Sequence, residues 1–180
     1  MKRACVYCGA SVGARPSYAK AAQALGAAIA RRGLGLVYGG ASVGLMGVLA
    51  DAALAASGEV IGILPRSLQA RELGHTRIND LRVVDTLHER KAQMTALSDI
   101  FIVLPGGIGT LDELFETATW NYLGVHAKPY GLLDVEGYWQ PLLRLLDSMV
   151  AEGFLHPATR SRLLVHTDAD SLLDALLGSS

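Results

Sequence analysis

Short runs of β-branched and aliphatic residues alternate with longer Ala- and Leu-rich stretches along the whole chain of 180 residues. Repeated βαβ units leave that pattern, and it restricts the fold to the α/β class with a mainly parallel sheet between helical layers. The spacing predicts strands at about 3–8, 34–38, 59–64, 81–85, 99–104, 129–134 and 163–166. Helices are predicted at about 16–32, 44–57, 88–98, 110–124, 138–152 and 169–177. The segment Asp99-Ile-Phe-Ile-Val-Leu104 is almost continuously apolar, as a central parallel strand covered on both faces must be. The expectation is a Rossmann-like three-layer fold, with residues 1–180 forming one nucleotide-binding domain. No repeat, low-complexity tract or Pro/Ser-rich linker divides it, and the polar stretch from Arg66 to Asp80 reads as one long connection inside the domain.

Composition removes several classes of function. The formal net charge is −1 and the isoelectric point about 6.5, so no general positive excess exists to neutralise a nucleic-acid polymer. Cys5 and Cys8 are the only cysteines, too few for a disulfide framework or a second pair of zinc ligands, and no histidine pair has metal-ligand spacing. No metal site is expected. The start, Met-Lys-Arg followed at once by a short apolar strand, lacks the pattern of a signal peptide, and no apolar run approaches the roughly 18 to 20 residues of a membrane span. A cytoplasmic protein that engages no membrane is the expectation. Mean hydropathy of +0.30 with 6% aromatics points to an Ala/Leu/Val core and leaves room for an apolar helix face reserved for a second subunit.

Three strand ends turn towards helices through small residues: Cys8-Gly9-Ala10-Ser11, Tyr38-Gly39-Gly40-Ala41-Ser42-Val43-Gly44-Leu45-Met46-Gly47, and Pro105-Gly106-Gly107-Ile108-Gly109-Thr110. In a parallel sheet such turns gather at one edge. Without a Cβ the backbone can approach an anion closely, and the free N–H groups of a helix start donate to phosphate oxygens. Each loop alone could be no more than a tight turn; three together point to a bound phosphate. Neither the G-x-G-x-x-G dinucleotide spacing nor a Gly-Lys-Ser/Thr Walker sequence is present, which favours a mononucleotide over NAD or ATP.

Thr110-Leu111-Asp112-Glu113 has the T-x-x-E spacing of a capping box, and from spacing alone Glu113 is read as the cap of its own helix. The same placement would hold its carboxylate beside a phosphate-binding turn, above the strand edge where a sugar would lie. Glu116 follows one helical turn later, either sharing that face or lying on the surface. Upstream, His88-Glu89-Arg90-Lys91 opens a helix, where cations face the positive end of the helix dipole, so Arg90 and Lys91 want an anionic partner. A phosphate or Glu113 would supply one. His88 and His126 are read as helpers of the pocket or as helix caps, and Cys5 and Cys8 as strand packing.

His88-Glu89-Arg90-Lys91 followed by Pro105-Gly106-Gly107-Ile108-Gly109-Thr110-Leu111-Asp112-Glu113 resembles the LONELY GUY (LOG) family of cytokinin-activating phosphoribohydrolases. The resemblance runs from Cys8-Gly9 to about Phe154 through Gly39-Gly40, Gly44-Leu45-Met46-Gly47, Trp120, Gly124, His126 and Lys128-Pro129. It implies hydrolysis of an N6-substituted adenosine 5′-monophosphate to free base and ribose 5-phosphate, without metal or organic cofactor, by a homodimer. It also implies Arg90 and Glu113 as the catalytic pair. Gly9, Ser11, Gly39, Gly40, Gly44, Met46, Lys91, Gly106, Gly107, Gly109, Thr110 and Glu116 would hold the substrate. Ala41, Leu87 and Asn121-Tyr122 depart from the family pattern, the last pair being expected to reshape the pocket. Relatives have carried a lysine decarboxylase label, yet nothing marks Lys2, Lys20, Lys91 or Lys128 as the Schiff-base lysine of a pyridoxal enzyme. The rival reading is a non-catalytic nucleotide-sensing or molybdenum-cofactor carrier module of the same fold.

Overall fold

A computed structural model describes residues 1–69 and 74–178. Seven strands, β1 (Arg3–Tyr7), β2 (Gly35–Tyr38), β3 (Val60–Pro65), β4 (Asp80–Val84), β5 (Ile100–Val103), β6 (Tyr130–Leu133) and β7 (Leu163–His166), form one sheet in the order β4-β3-β2-β1-β5-β6-β7. Every pairing is parallel, so the mainly parallel sheet expected is wholly parallel. The apolar β5 sits between β1 and β6, with all four of its residues buried.

Among the described residues eight helices accompany the strands: α1 (Pro16–Arg31), α2 (Gly44–Ala55), α3 (Arg66–Gln69), α4 (Leu87–Leu97), α5 (Ile108–Tyr122), α6 (Gln140–Ala151), α7 (Pro157–Arg160) and α8 (Ala169–Gly178), with a 3-10 turn at Val135–Gly137. Side chains of α1, α2 and α8 build one apolar core against the sheet, and those of α4, α5 and α6 build a second on its other face. Fully buried residues such as Leu25, Ile29, Leu49 and Met94 each contribute about 1.5–3 kcal/mol through the water they exclude.

The expected strands and major helices are all present. The Arg66 to Asp80 connection is not structureless, because α3 occupies its start and Gly74 forms an antiparallel bridge with Ala41; residues 70–73 of that stretch lie outside the described residues. Helix α7, too short to show a period, gave no sequence signal. Among the described residues no helix is long and apolar enough to cross a membrane.

From β1 the chain moves outward through α1 to β2, whereas from β5 it moves the other way through α5 to β6. The loops after β1 and β5 therefore diverge at the carboxyl edge, and ligands of open α/β sheets bind at such a switch point.

Candidate active site

The three glycine loops meet at that switch point. Gly9 donates from its N–H to the carbonyl of Pro105 at 3.0 Å, and Leu45 donates to the carbonyl of Gly9 at 3.1 Å, tying all three together. The approach leaves no space for a side chain at Gly106, where a Cβ would stand 2.1 Å from Thr110 Oγ1 and 2.9 Å from the Gly9 nitrogen. A cavity of about 490 Å³ opens here, lined by residues including Gly9, Ser11, Gly13, Leu45, Gly106, Gly107 and Tyr138.

Helix α5 starts two residues before the expected position, and this overturns the capping reading of Glu113. Gly107 is the N-cap and no side chain caps it, so Thr110 lies at the third helical position and Glu113 at the sixth. The first helical bond runs from Leu111 N–H to the carbonyl of Gly107 at 3.1 Å. The N–H groups of Ile108, Gly109 and Thr110 have no acceptor among the described residues and remain for an anion. A T-x-x-E side-chain cap stands instead at the start of α4, with Glu89 reaching the residue before the Thr86 N-cap. There the Thr86 hydroxyl accepts from the Glu89 N–H at 3.1 Å, while the Glu89 carboxylate accepts from the Asp85 N–H at 2.9 Å. The signal, a second T-x-x-E at Thr86, is as plain in the sequence as the one at Thr110.

Released from capping, Glu113 is buried at 6% exposure and pairs with Arg90, Nη1 lying 3.1 Å from Oε1. Arg90 Nε donates to the Ile63 carbonyl at 3.2 Å, which anchors the guanidinium to the end of β3. Its other terminal nitrogen lies across Gly39, where a Cβ would stand 2.1 Å from Nη2 and 2.9 Å from Met46 Sδ. Gly39 thus serves the arginine directly. Burial pushes the Glu113 carboxyl up to about 7, with the Arg90 charge pulling the other way and Asp112 adding to the rise.

Lys91 points to a different pair of acids, its Nζ lying 3.0 Å from Asp112 and 3.1 Å from Glu116. Burial opposes its charge, but the bonds to Asp112 and Glu116 outweigh it and hold the ammonium above its ordinary range. Three ion pairs therefore join α4 to α5, and the anions that Arg90 and Lys91 required come from one helix. Deeper along α5, the hydroxyls of Thr117 and Tyr7 lie 3.0 Å apart and satisfy each other.

Other expectations need correction. His88 is exposed and caps nothing. His126 stacks on Phe101 and lines a separate cavity with Asn121, Pro129 and Arg162, apart from the glycine loops. Asn121 bonds the Lys128 carbonyl and the Arg162 guanidinium, and Tyr122 borders an outer groove, so neither lines the cavity at the glycine loops. Cys8 lies one residue past the end of β1, and both cysteines are unpaired and buried, their thiols pushed up by desolvation. Ala41 keeps a negative φ and needs no glycine there. Tyr138, a wall of the cavity, went unnoticed in the sequence, since nothing local ties it to a loop about thirty residues earlier.

Residues 46–176 match the family described as "Possible lysine decarboxylase". The chain is 48% identical over 176 residues to the cytokinin riboside 5′-monophosphate phosphoribohydrolase of Rhodococcoides fascians, an overlap covering 97% of this chain and 89% of that one. It is 45% identical to a protein of the same name from Arabidopsis thaliana, covering 97% of this chain and 82% of the relative. The chain belongs to the LOG family. Among solved structures, the molybdenum cofactor binding protein of Rippkaea orientalis superposes with a TM-score of 0.76 at 23% identity, covering 99% of this chain and 97% of that one, which establishes the shared fold.

The decarboxylase description does not suit the lysines of this LOG-family chain. A pyridoxal enzyme needs a lysine that can become a neutral amine in a pocket. Lys91 is clamped by two carboxylates, Lys128 Nζ donates to the Thr95 carbonyl at 2.7 Å, and Lys2 and Lys20 are exposed. Among the described residues no cluster of three or more His, Cys, Asp or Glu could hold a metal ion.

Proposed function

We propose that this chain hydrolyses the N-glycosidic bond of N6-substituted adenosine 5′-monophosphates, releasing the free adenine-type base and ribose 5-phosphate. The observation that carries the reading is the buried Arg90–Glu113 pair standing beside the glycine loops, the third of which leaves the Ile108, Gly109 and Thr110 amides unspent among the described residues. Cleavage builds positive charge on the ribose and negative charge on the departing purine, and this pair offers one group for each. Glu113 steadies the oxocarbenium-like sugar and takes the proton of the attacking water, a task for which a carboxyl near 7 is well matched. Arg90 keeps Glu113 oriented and faces the developing purine charge.

The 5′-phosphate is held by the amides of Gly106–Thr110 and of Ala10 and Ser11, with Gly9, Gly39, Gly40, Gly44 and Met46 shaping the neighbouring wall. That grip uses phosphate binding to place the scissile bond. Lys91 and Glu116, bound to each other, support α4 against α5 from behind. The names of the curated relatives support the substrate class. A carrier module would need the phosphate grip but no buried carboxylate beside it.

The chain would act in the cytoplasm as a homodimer. An apolar groove of about 290 Å³, lined by Phe115, Ala118, Tyr122, Met149 and Leu155, supports the dimer, with Phe154 projecting nearby at 89% exposure.

Incubation with AMP, isopentenyl-AMP and adenosine, followed by chromatography of the released base, tests the proposal. Both nucleotides should be cleaved, isopentenyl-AMP competing effectively against AMP, and adenosine should react poorly. Equal turnover of adenosine and AMP would remove the phosphate anchor, and no base release from either nucleotide would overturn the hydrolase reading.

A further inference from the structure

We infer that Tyr138 is a positioning residue of the phosphate cradle, its phenol fixing the peptide plane of the third glycine loop. The inference deepens the proposed function and rests on the phosphate site assigned there. Tyr138 reaches the loop from the neighbouring connection at the same carboxyl edge of the sheet: it follows the 3-10 turn at Val135–Gly137, after β6, the parallel partner of β5, and its hydroxyl donates to the Gly106 carbonyl at 2.6 Å. A peptide group is planar and trans, so anchoring that carbonyl fixes the direction in which the N–H of Gly107 points, opposite to it. Gly107 is the N-cap of α5, and the next three N–H groups are those left without acceptors. Among the described residues no other hydrogen bond holds this plane, and neither Gly106 nor Gly107 has a side chain to lock it.

The surroundings of Tyr138 are built to hold it there. Glu136 and Gly137 both adopt left-handed φ values, +51° and +73°, which reverses the chain and turns residue 138 back towards the loops. For Glu136 that conformation costs on the order of 1 kcal/mol, and such strain persists only where neighbours enforce it. Two neighbours do so. The buried Asp134 accepts from Trp139 N–H at 2.7 Å and from Gln140 at 2.6 Å, and Arg15 forms an ion pair with Glu136 at 3.2 Å from the first glycine loop's own helix start. The ring itself meets Tyr18 edge-on at 5.6 Å and Trp139 at 4.8 Å. Tyr18 and Tyr138 both line the cavity between the first and third loops. One hydroxyl thus couples the β6–α6 connection to the phosphate loop.

Tyr138→Phe removes the donor and keeps the ring packing. AMP affinity measured by equilibrium titration should fall about tenfold, and inhibition by inorganic phosphate should weaken by a similar factor. Adenosine affinity and the melting temperature should stay close to wild type, because a merely structural role would move these instead. Unchanged AMP and phosphate affinity in the variant would overturn the role of Tyr138. A loss shared equally by adenosine and AMP would overturn it too. A wild type that binds AMP but releases no adenine would sink the hydrolase reading while leaving the Tyr138 comparison readable.

Discussion

Helices α1 and α2 meet the sheet and each other through Ala, Leu, Ile and Gly, whereas α4 and α5 on the opposite face bury Lys91, Thr110, Glu113, Thr117 and Asn121. The first pair is joined by close packing: a Cβ on Gly26 would stand 2.3 Å from the Leu49 carbonyl oxygen. The second is joined by ion pairs, Arg90 with Glu113 and Lys91 with Asp112 and Glu116. Both faces are built on one sheet, yet of these four helices only α4 and α5 bury charged side chains. Such charge adds little stability over an apolar contact of the same size, so its presence supports the proposed active site on this face.

Substitutions on the two faces should therefore fail differently. The largest effect belongs to Glu113→Gln, which keeps the shape but removes the proton acceptor. Base release from AMP should drop about a thousandfold with the melting temperature nearly unchanged. Wild-type turnover in this variant would make the buried acid structural and erase the contrast. Arg90→Ala should cost about a hundredfold in turnover and also move the pH profile. A general base must be ionised, so the wild-type rate should fall as pH drops below about 7, where burial places the Glu113 carboxyl. Removing the guanidinium that pulls this value down should shift the acid limb to higher pH, and an unshifted limb would separate Arg90 from Glu113. Gly26→Ala should have the smallest effect on catalysis. Overpacking against α2 should cost about 1–3 kcal/mol, read as a lower melting temperature, while turnover of folded protein stays within about twofold. A large loss of turnover there would show that the apolar face is not merely a scaffold.

Strand positions were legible because apolar runs such as Asp99 to Leu104 carry their burial in their composition. Arg90 and Glu113 were singled out by motifs within their own segments and by the resemblance those motifs carry, and the structure brings the two together. What spacing could not give was the partner of each charge. Glu113 was read as a cap because T-x-x-E fixes a helix start only if the helix starts there, and α5 begins earlier, at Ile108, after the Gly107 cap. Thr86 and Glu89 carried the same spacing and do form the cap. Lys91 could not be assigned to Asp112 and Glu116 before α4 and α5 were placed side by side. Tyr138 lay beyond reach for the same reason, since its bond to Gly106 depends on the left-handed turn at Glu136 and Gly137.

The most direct measurement is a crystal structure of the Glu113→Gln protein with AMP bound. The account expects the phosphate on the amides of the first and third glycine loops and the side chain at position 113 about 3–3.5 Å from the anomeric carbon or from a water poised to attack it. A nucleotide whose anomeric carbon lies out of reach of position 113 in every copy would contradict it and leave a nucleotide receptor in place of an enzyme.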